Sequence, residues 1–353
     1  MSDPRRPRIA LFAAPETSPA ILYGLYDVLG TVGAVFPDMT TGEPGDALLD
    51  VTIVAADRAP FRCFGNILIE PTGSIDDGEP YDVIIVCDLY TPITTPPRGR
   101  FTREAAWLRA SHARGSLIAS VCTGSVLVAE AGLLDRRSCA GHWAYAGLFG
   151  SEYPTVRFDA GAILVLASEA DGVITAGGVT AWQDLALHVI ARLCGPEHAI
   201  RTAKVHLLTG HQDGQLAYAA MVRPTDRSDA AIVRSQEWLG DNYATDNPVA
   251  AMVDQSGLLP RTFGRRFRAA TGRRPMQYIH EVRIDEARRI LESSSIAVDD
   301  VGFSVGYQDP TFFRRLFKRT TGMTPVAYRR KFATIAPHLE RRAAHRSEGL
   351  AVG

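Results

Sequence analysis

The chain has 353 residues, 46% of them hydrophobic and 22% charged, which is long enough for two domains and too ordinary in composition for a disordered or fibrous protein. Its five cysteines, Cys63, Cys87, Cys122, Cys139 and Cys194, are odd in number and include no C-x-x-C pair, which argues against a zinc ribbon or a disulfide framework. The net charge of −1 hides a division: residues up to Val222 hold 16 basic against 24 acidic side chains, a balance of −8, and the remainder hold 22 against 15, a balance of +7.

The segment Met1 to Arg8 is basic, but the apolar run after it, Ile9 to Ala14, is far too short for a secretory core or a membrane span, so a cytoplasmic, reduced protein is expected. Further short apolar runs follow at Val51 to Ala56, Val83 to Cys87, Leu117 to Val121, Ile163 to Ala167 and Val173 to Ala176. Helical spacing appears between them at Thr102 to Arg114, Ser125 to Ala131 and Thr180 to Leu193. This alternation predicts an α/β, flavodoxin-like three-layer sandwich with a parallel sheet, whose ligand site lies at the carboxyl ends of the strands.

Cys122 sits at a predicted strand-to-helix turn, where a helix N-terminus favours a thiolate, so it is a candidate nucleophile or sensor. His206 and His211, five apart, have no acidic or cysteine neighbour at metal-ligand spacing and read as surface or core histidines. Gly177-Gly178 reads as a tight packing turn rather than an anion site. No Walker motif or dinucleotide fingerprint is present, and neither a metal nor a cofactor is expected.

The polar, proline-bearing stretch Arg223 to Asp229 is the linker candidate, and everything from Ala230 to Phe332 reads as helix. The expected organisation is an α/β sensing and dimerisation domain over 1–218, a linker over 219–229, an all-α domain over 230–335 and a flexible tail over 336–353.

Sliding the C-terminal region against itself by 50 residues superimposes Pro260 on Pro310, Phe263 on Phe313, Arg265 on Arg315, Phe267 on Phe317, Arg268 on Lys318, Thr271 on Thr321, Gly272 on Gly322, Pro275 on Pro325 and Tyr278 on Tyr328. Nine matches within 19 residues mark a duplicated unit. Each copy has the parts of a helix-turn-helix: a short helix, a turn glycine (Gly257, Gly306) and a proline-initiated second helix that stops at a glycine. Asp309 caps the second copy's helix, and Leu259 stands at that place in the first, so the first cap is expected to be weaker.

The phenylalanine pairs point inward, which leaves Arg261, Thr262, Arg265, Arg268 and Arg273 on or just beyond the first helix and Thr311, Arg314, Arg315 and Lys318 on the second to face double-stranded DNA. Met276 to Ser293 makes a spacer rod of roughly 27 Å at 1.5 Å per residue, and successive major grooves are on the order of 34 Å apart.

At these residues the chain resembles the AraC/XylS family of transcription regulators, most specifically through Gly306-Tyr307, Phe313-Arg314-Arg315, Phe317-Lys318, Gly322-Met323-Thr324-Pro325 and Tyr328-Arg329. The resemblance implies base contacts from Arg261 and Arg265 and from Thr311, Arg314 and Arg315. Gly302 departs from it, since the family usually has alanine there, and should soften its helix by up to about 1 kcal/mol.

Over roughly Arg8 to Leu216 the chain resembles the PfpI-like, glutamine-amidotransferase-like superfamily, through Cys122-Thr123-Gly124, Gly141-His142-Trp143, Thr175 to Gly178, Asp184 to His188 and Gly214-Gln215. The two together are similar to GlxA-type regulators. The second resemblance implies a site built from Cys122, Thr123 and His142. In catalytic relatives a carboxylate completes it, but Ile21 stands at that position here, with Glu16 elsewhere in the same loop. The expected function is a homodimeric transcription regulator responding to a small-molecule or redox signal; a cysteine-dependent amidase or hydratase fused to a DNA-binding domain is the alternative.

Overall fold

The central apolar runs become strands because they are covered on both faces by helices from the stretches between them, while the run Ile163 to Ala167 lies at the sheet edge and leaves Leu166 exposed. The protein is described by a computed structural model over residues 5–93, 95, 97–168, 172–211, 213–221 and 228–333. It divides into two compact units, residues 1–215 and 216–353. The tail expected over 336–353 lies outside the described residues.

In the first unit the strands are β1 (Arg8–Phe12), β2 (Asp50–Ala55), β3 (Phe61–Arg62), β4 (Leu68–Ile69), β5 (Gly73–Ser74), β6 (Val83–Val86), β7 (Leu117–Val121), β8 (Ser138–Ala140), β9 (Arg157–Asp159), β10 (Leu164–Ser168) and β11 (Val173–Ala176). The helices are α1 (Pro19–Gly30), α2 (Val35–Thr41), α3 (Thr102–Ala113), α4 (Ser125–Glu130), α5 (Ala146–Glu152), α6 (Trp182–Cys194) and α7 (Pro196–His206). Seven strands form one sheet in the order β10-β11-β7-β6-β1-β2-β5, and β3 with β4 and β8 with β9 make two small pairs.

Alternation along each strand builds two cores. Ile9, Leu11 and Ile85 pack with Ile21 and Leu25 of α1 and Leu185 and Val189 of α6, while Ala10, Phe12, Ile84 and Val86 pack with Leu108 of α3 and Val126 of α4. The sheet is parallel except for β10, which runs antiparallel to β11. Four residues separate those two strands in sequence, too few for the crossover a parallel pair needs.

The second unit contains α8 (Ala230–Asn242), α9 (Pro248–Ser256), α10 (Pro260–Thr271), α11 (Pro275–Ser293), α12 (Val298–Ser304), α13 (Pro310–Thr321) and α14 (Pro325–Phe332). The 50-residue repeat reappears as repeated packing. Phe267 meets Tyr278 edge-on at 5.3 Å, and Phe317 meets Tyr328 edge-on at 5.3 Å. Thr271 and Thr321 each donate back to the carbonyl four residues earlier, and Gly272 and Gly322 end the helices with positive φ. Asp309 accepts from the Thr311 amide at 2.8 Å, whereas Leu259 provides no side-chain cap.

The spacer helix α11 is fastened to both copies. Arg283, only 5% exposed, donates through Nε to the Tyr243 carbonyl (2.7 Å), through Nη2 to Thr245 (2.9 Å) and through Nη1 to Gly306 (2.6 Å). A Cβ at residue 306 would lie 2.8 Å from both the Ala244 carbonyl oxygen and Arg283 Cζ, so glycine is required for close approach as well as for its φ of +89°.

The boundary falls earlier than the expected one at 218/219. Leu216–Tyr218 forms a helical turn within the second unit, Ala217 is buried with Ile284, Leu291 and Phe317, and Arg288 donates to the carbonyls of Leu216 and Ala219. The end of the expected first domain, with Ala219 of the expected linker, is thus a strap on α11, held because the Arg288 guanidinium is nearly buried and needs acceptors; residues 222–227 of that linker lie outside the described residues.

Gly302 has a role beyond the expected loss of helix propensity. A Cβ there would lie 2.8 Å from Cδ1 of the fully buried Phe313. Gly302→Ala gains up to about 1 kcal/mol of propensity against an overpacking cost of about 1–3 kcal/mol. We expect a net loss of roughly 1 kcal/mol, read as a lower urea midpoint for the helical unit. A raised midpoint would show that Phe313 yields to the added methyl.

Candidate functional site

In the first unit the carboxyl ends of β1, β6 and β7 converge. The chain leaves β7 and turns through Cys122, which adopts φ +56°, the strained strand-to-helix geometry expected of this turn. Gly124 follows because a Cβ at that point would meet the Val86 and Cys87 carbonyls at 2.6 and 2.5 Å. Thr123 accepts from the Leu89 amide at 2.9 Å, tying the turn to the chain after β6.

Burial opposes a thiolate at this turn. Cys122 is 4% exposed, and burial first, then the neighbouring Asp88, pushes its thiol up to about 12. Desolvation outweighs whatever the following helix offers, so the sulfur is protonated at neutral pH. Asp88 was not singled out in the sequence, although it directly follows the apolar run at Val83 to Cys87. It is buried, accepts from the Ser18 amide at 2.9 Å, and is itself raised to about 6 by burial.

His142 caps a helical turn: its Nδ1 accepts from the Ala144 amide at 3.2 Å, and its ring lies against Trp143 and Tyr145. Burial lowers its pKa, so the ring is neutral. Among the described residues its hydrogen bond runs to Ala144 and not to Cys122. Ile21 is fully buried on α1, and the Glu16 carboxylate is engaged by Arg100 rather than by the thiol. Beside Glu16, at the carboxyl ends of β1 and β2, lies a cavity of about 430 Å³ whose walls include Phe12, Phe61 and Phe101, with Glu16, Arg100 and Glu104 on its polar side.

On the second unit Arg261, Arg265 and Arg268 are exposed on α10 and Thr262 is half-buried; Thr311, Arg314, Arg315 and Lys318 are exposed on α13. Arg314 pairs with Asp299, and Arg315 lies 5.8 Å from the Phe312 ring centre. Arg273, just beyond α10, forms an ion pair with Glu281 at 2.6 Å. Arg266 holds Asp229, the N-cap of α8, through two hydrogen bonds at 2.8 and 2.7 Å. Arg266 and Arg283 are the functional-looking basic residues whose work is internal, and only their long-range partners reveal it.

A DJ-1/PfpI family model matches residues 27–192, and a helix-turn-helix domain model matches residues 252–331. The chain joins a DJ-1/PfpI domain to an AraC-type DNA-binding domain. It is similar to the HTH-type transcriptional regulator CdhR of Pseudomonas aeruginosa, at 26% identity over 88% of this chain and 91% of that one. It is also similar to the HTH-type transcriptional regulator GlxA of Rhizobium meliloti, at 28% identity over 64% of this chain and 68% of that one. The DNA-binding domain of AdpA, solved in complex with a target DNA, is 31% identical, covers 30% of this chain and 96% of its own, and gives a TM-score of 0.29. The protein is a DNA-binding transcription regulator that carries a DJ-1/PfpI domain and a helix-turn-helix domain.

Within the DJ-1/PfpI domain the state of Cys122 is open to direct measurement. A thiol at about 12 in place of 9 carries roughly a thousandfold less thiolate near pH 8. Iodoacetamide should therefore label Cys122 at least about a hundredfold more slowly in the native protein than in urea. Equal rates in both states would contradict the buried, protonated thiol.

Proposed function

We propose that the DJ-1/PfpI domain is a sensor whose small-molecule effector occupies the cavity beside Glu16, and that this occupancy sets how the AraC-type domain engages its operator. The observation that carries this reading is the cavity's place: a concave, mostly apolar space at the carboxyl ends of parallel strands, where this architecture keeps its ligands. A cysteine-dependent hydrolase is disfavoured because burial keeps the Cys122 thiol protonated and Asp88, the carboxylate acting on it, is itself buried and shifted toward the neutral form. The protein is proposed to act in the cytoplasm as a homodimer, with the acidic first domain providing the dimer contact.

Ala59 lines the cavity from an exposed position, so Ala59→Trp should fill it without disturbing the core. The variant is expected to bind operator DNA in vitro like the parent and to lose its regulated response in a reporter strain. A normal response would move the effector site elsewhere. Sedimentation at micromolar concentration should give a dimer, and a monomer would remove that part of the reading.

For DNA reading, the exposed arginines of the two recognition helices are proposed as base contacts. Arg265→Ala and Arg315→Ala should each relax preference at one base position, at a cost of about 1–3 kcal/mol. Arg274→Ala, at the exposed start of α11, should weaken specific and scrambled DNA alike and reduce the salt dependence, as loss of a phosphate contact does. Arg273, now seen paired with Glu281, should have the smaller effect of the two neighbours. Equal losses on specific and scrambled DNA for Arg265→Ala and Arg315→Ala would overturn the assignment of the reading faces.

A further inference from the structure

The turn after β11 sets up chemistry that the regulator's known parts do not use. Gly177 is forced by close packing, since a Cβ there would lie 2.6 Å from Gln215 Nε2 and 2.7 Å from the Ala162 carbonyl. The chain then enters a helical turn, Val179–Ala181, that runs on into α6, leaving Thr180 exposed at the helix start. Asp184 lies four residues on, on the same helix face. His211 arrives from beyond α7. Its backbone amide donates to Asp184 Oδ1 at 3.0 Å, its Nδ1 lies 2.6 Å from Asp184 Oδ2, and its Nε2 lies 3.1 Å from Thr180 Oγ1.

Both oxygens of Asp184 are thus spent on one residue, which fixes the imidazole plane. A carboxylate at Nδ1 assigns the proton to that nitrogen and leaves Nε2 as an acceptor for the threonine hydroxyl. Asp184 and His211 side chains are 16% and 23% exposed, sheltered enough to hold the ring while the hydroxyl stays open to solvent. Hydroxyl, base and base-orienting carboxylate in this order form the signature of an activated oxygen nucleophile.

We propose that Thr180 is an acyl-acceptor site, with His211 as its general base and Asp184 as the residue that positions His211. In the step, Thr180 Oγ forms a bond to the carbonyl carbon of an activated ester or thioester while its proton passes to His211 Nε2. The developing oxyanion lies at the N-terminal end of this helix, where the helix dipole favours negative charge. Collapse breaks the bond to the leaving oxygen or sulfur, which takes the proton from His211. The products are O-acyl-Thr180 and a free alcohol or thiol, with no change of oxidation state.

The full-length protein treated with p-nitrophenyl acetate tests this. One acetyl increment should appear by intact mass and map to Thr180. Thr180→Ala should abolish it, and Thr180→Ser should restore it. His211→Ala should slow it roughly a hundredfold, and Asp184→Asn should slow it and change the pH dependence that the imidazole imposes. Absence of acetyl on Thr180, or acetylation there that His211→Ala leaves at the parent rate, overturns the proposal. Because Thr180 is exposed, unchanged unfolding of Thr180→Ala would separate lost chemistry from lost structure.

Discussion

A single guanidinium holds the DNA-binding domain to one geometry. Arg283 projects from the spacer helix and takes carbonyls from Tyr243 and Thr245, in the turn between α8 and α9, and from Gly306, in the turn of the second helix-turn-helix. Burying it costs desolvation, which also lowers its pKa, and three carbonyl acceptors with the Tyr307 ring at 5.4 Å offset that cost. A point charge on a lysine stem could not replace the planar fork. The spacer's 19 residues span roughly 28 Å at 1.5 Å each. Arg283 turns that span into a fixed relation between the two turns, and the two recognition helices inherit it.

The helical domain was legible because its signals are local. Glycines at 257, 272, 306 and 322 all take positive φ, the prolines start helices, and the phenylalanine pairs face inward at the positions the 50-residue repeat implies. Arginine counting was less reliable. Arg266 is bound to Asp229, Arg273 to Glu281, and Arg283 and Arg288 to backbone carbonyls, so part of the +7 balance holds the domain together rather than facing DNA. Partners 23 to 72 residues away carry the Arg266, Arg283 and Arg288 contacts, and no local pattern announces them.

In the DJ-1/PfpI domain the backbone was readable and the chemistry was not. The turn at Cys122 has the expected strained geometry, yet a helix N-terminus contributes only about 0.3–1 kcal/mol, whereas raising a thiol from 9 to about 12 corresponds to roughly 4 kcal/mol against the thiolate. Burial wins by magnitude, and burial is a tertiary property. His211 shows the same limit from the other side: its sequence neighbours offer no partner, but folding brings Asp184 and Thr180 to its two ring nitrogens.

The same distinction between local and distant partners sorts the candidate reading residues by how free they are. Arg261, Arg265 and Arg268 stand exposed on α10, whereas on α13 Arg314 already has Asp299 and Arg315 lies against Phe312. Both members of the Arg314–Asp299 pair are about half exposed, and such pairs are worth only about 0–1 kcal/mol, so breaking it for a base contact costs little. The contact of Arg315 with the ring does not have to be broken: a guanidinium that packs against an aromatic ring can still present its edge to guanine. On the proposed reading face the Asp299 pair therefore leaves Arg314 available at little cost, and Arg315 keeps its place against the Phe312 ring.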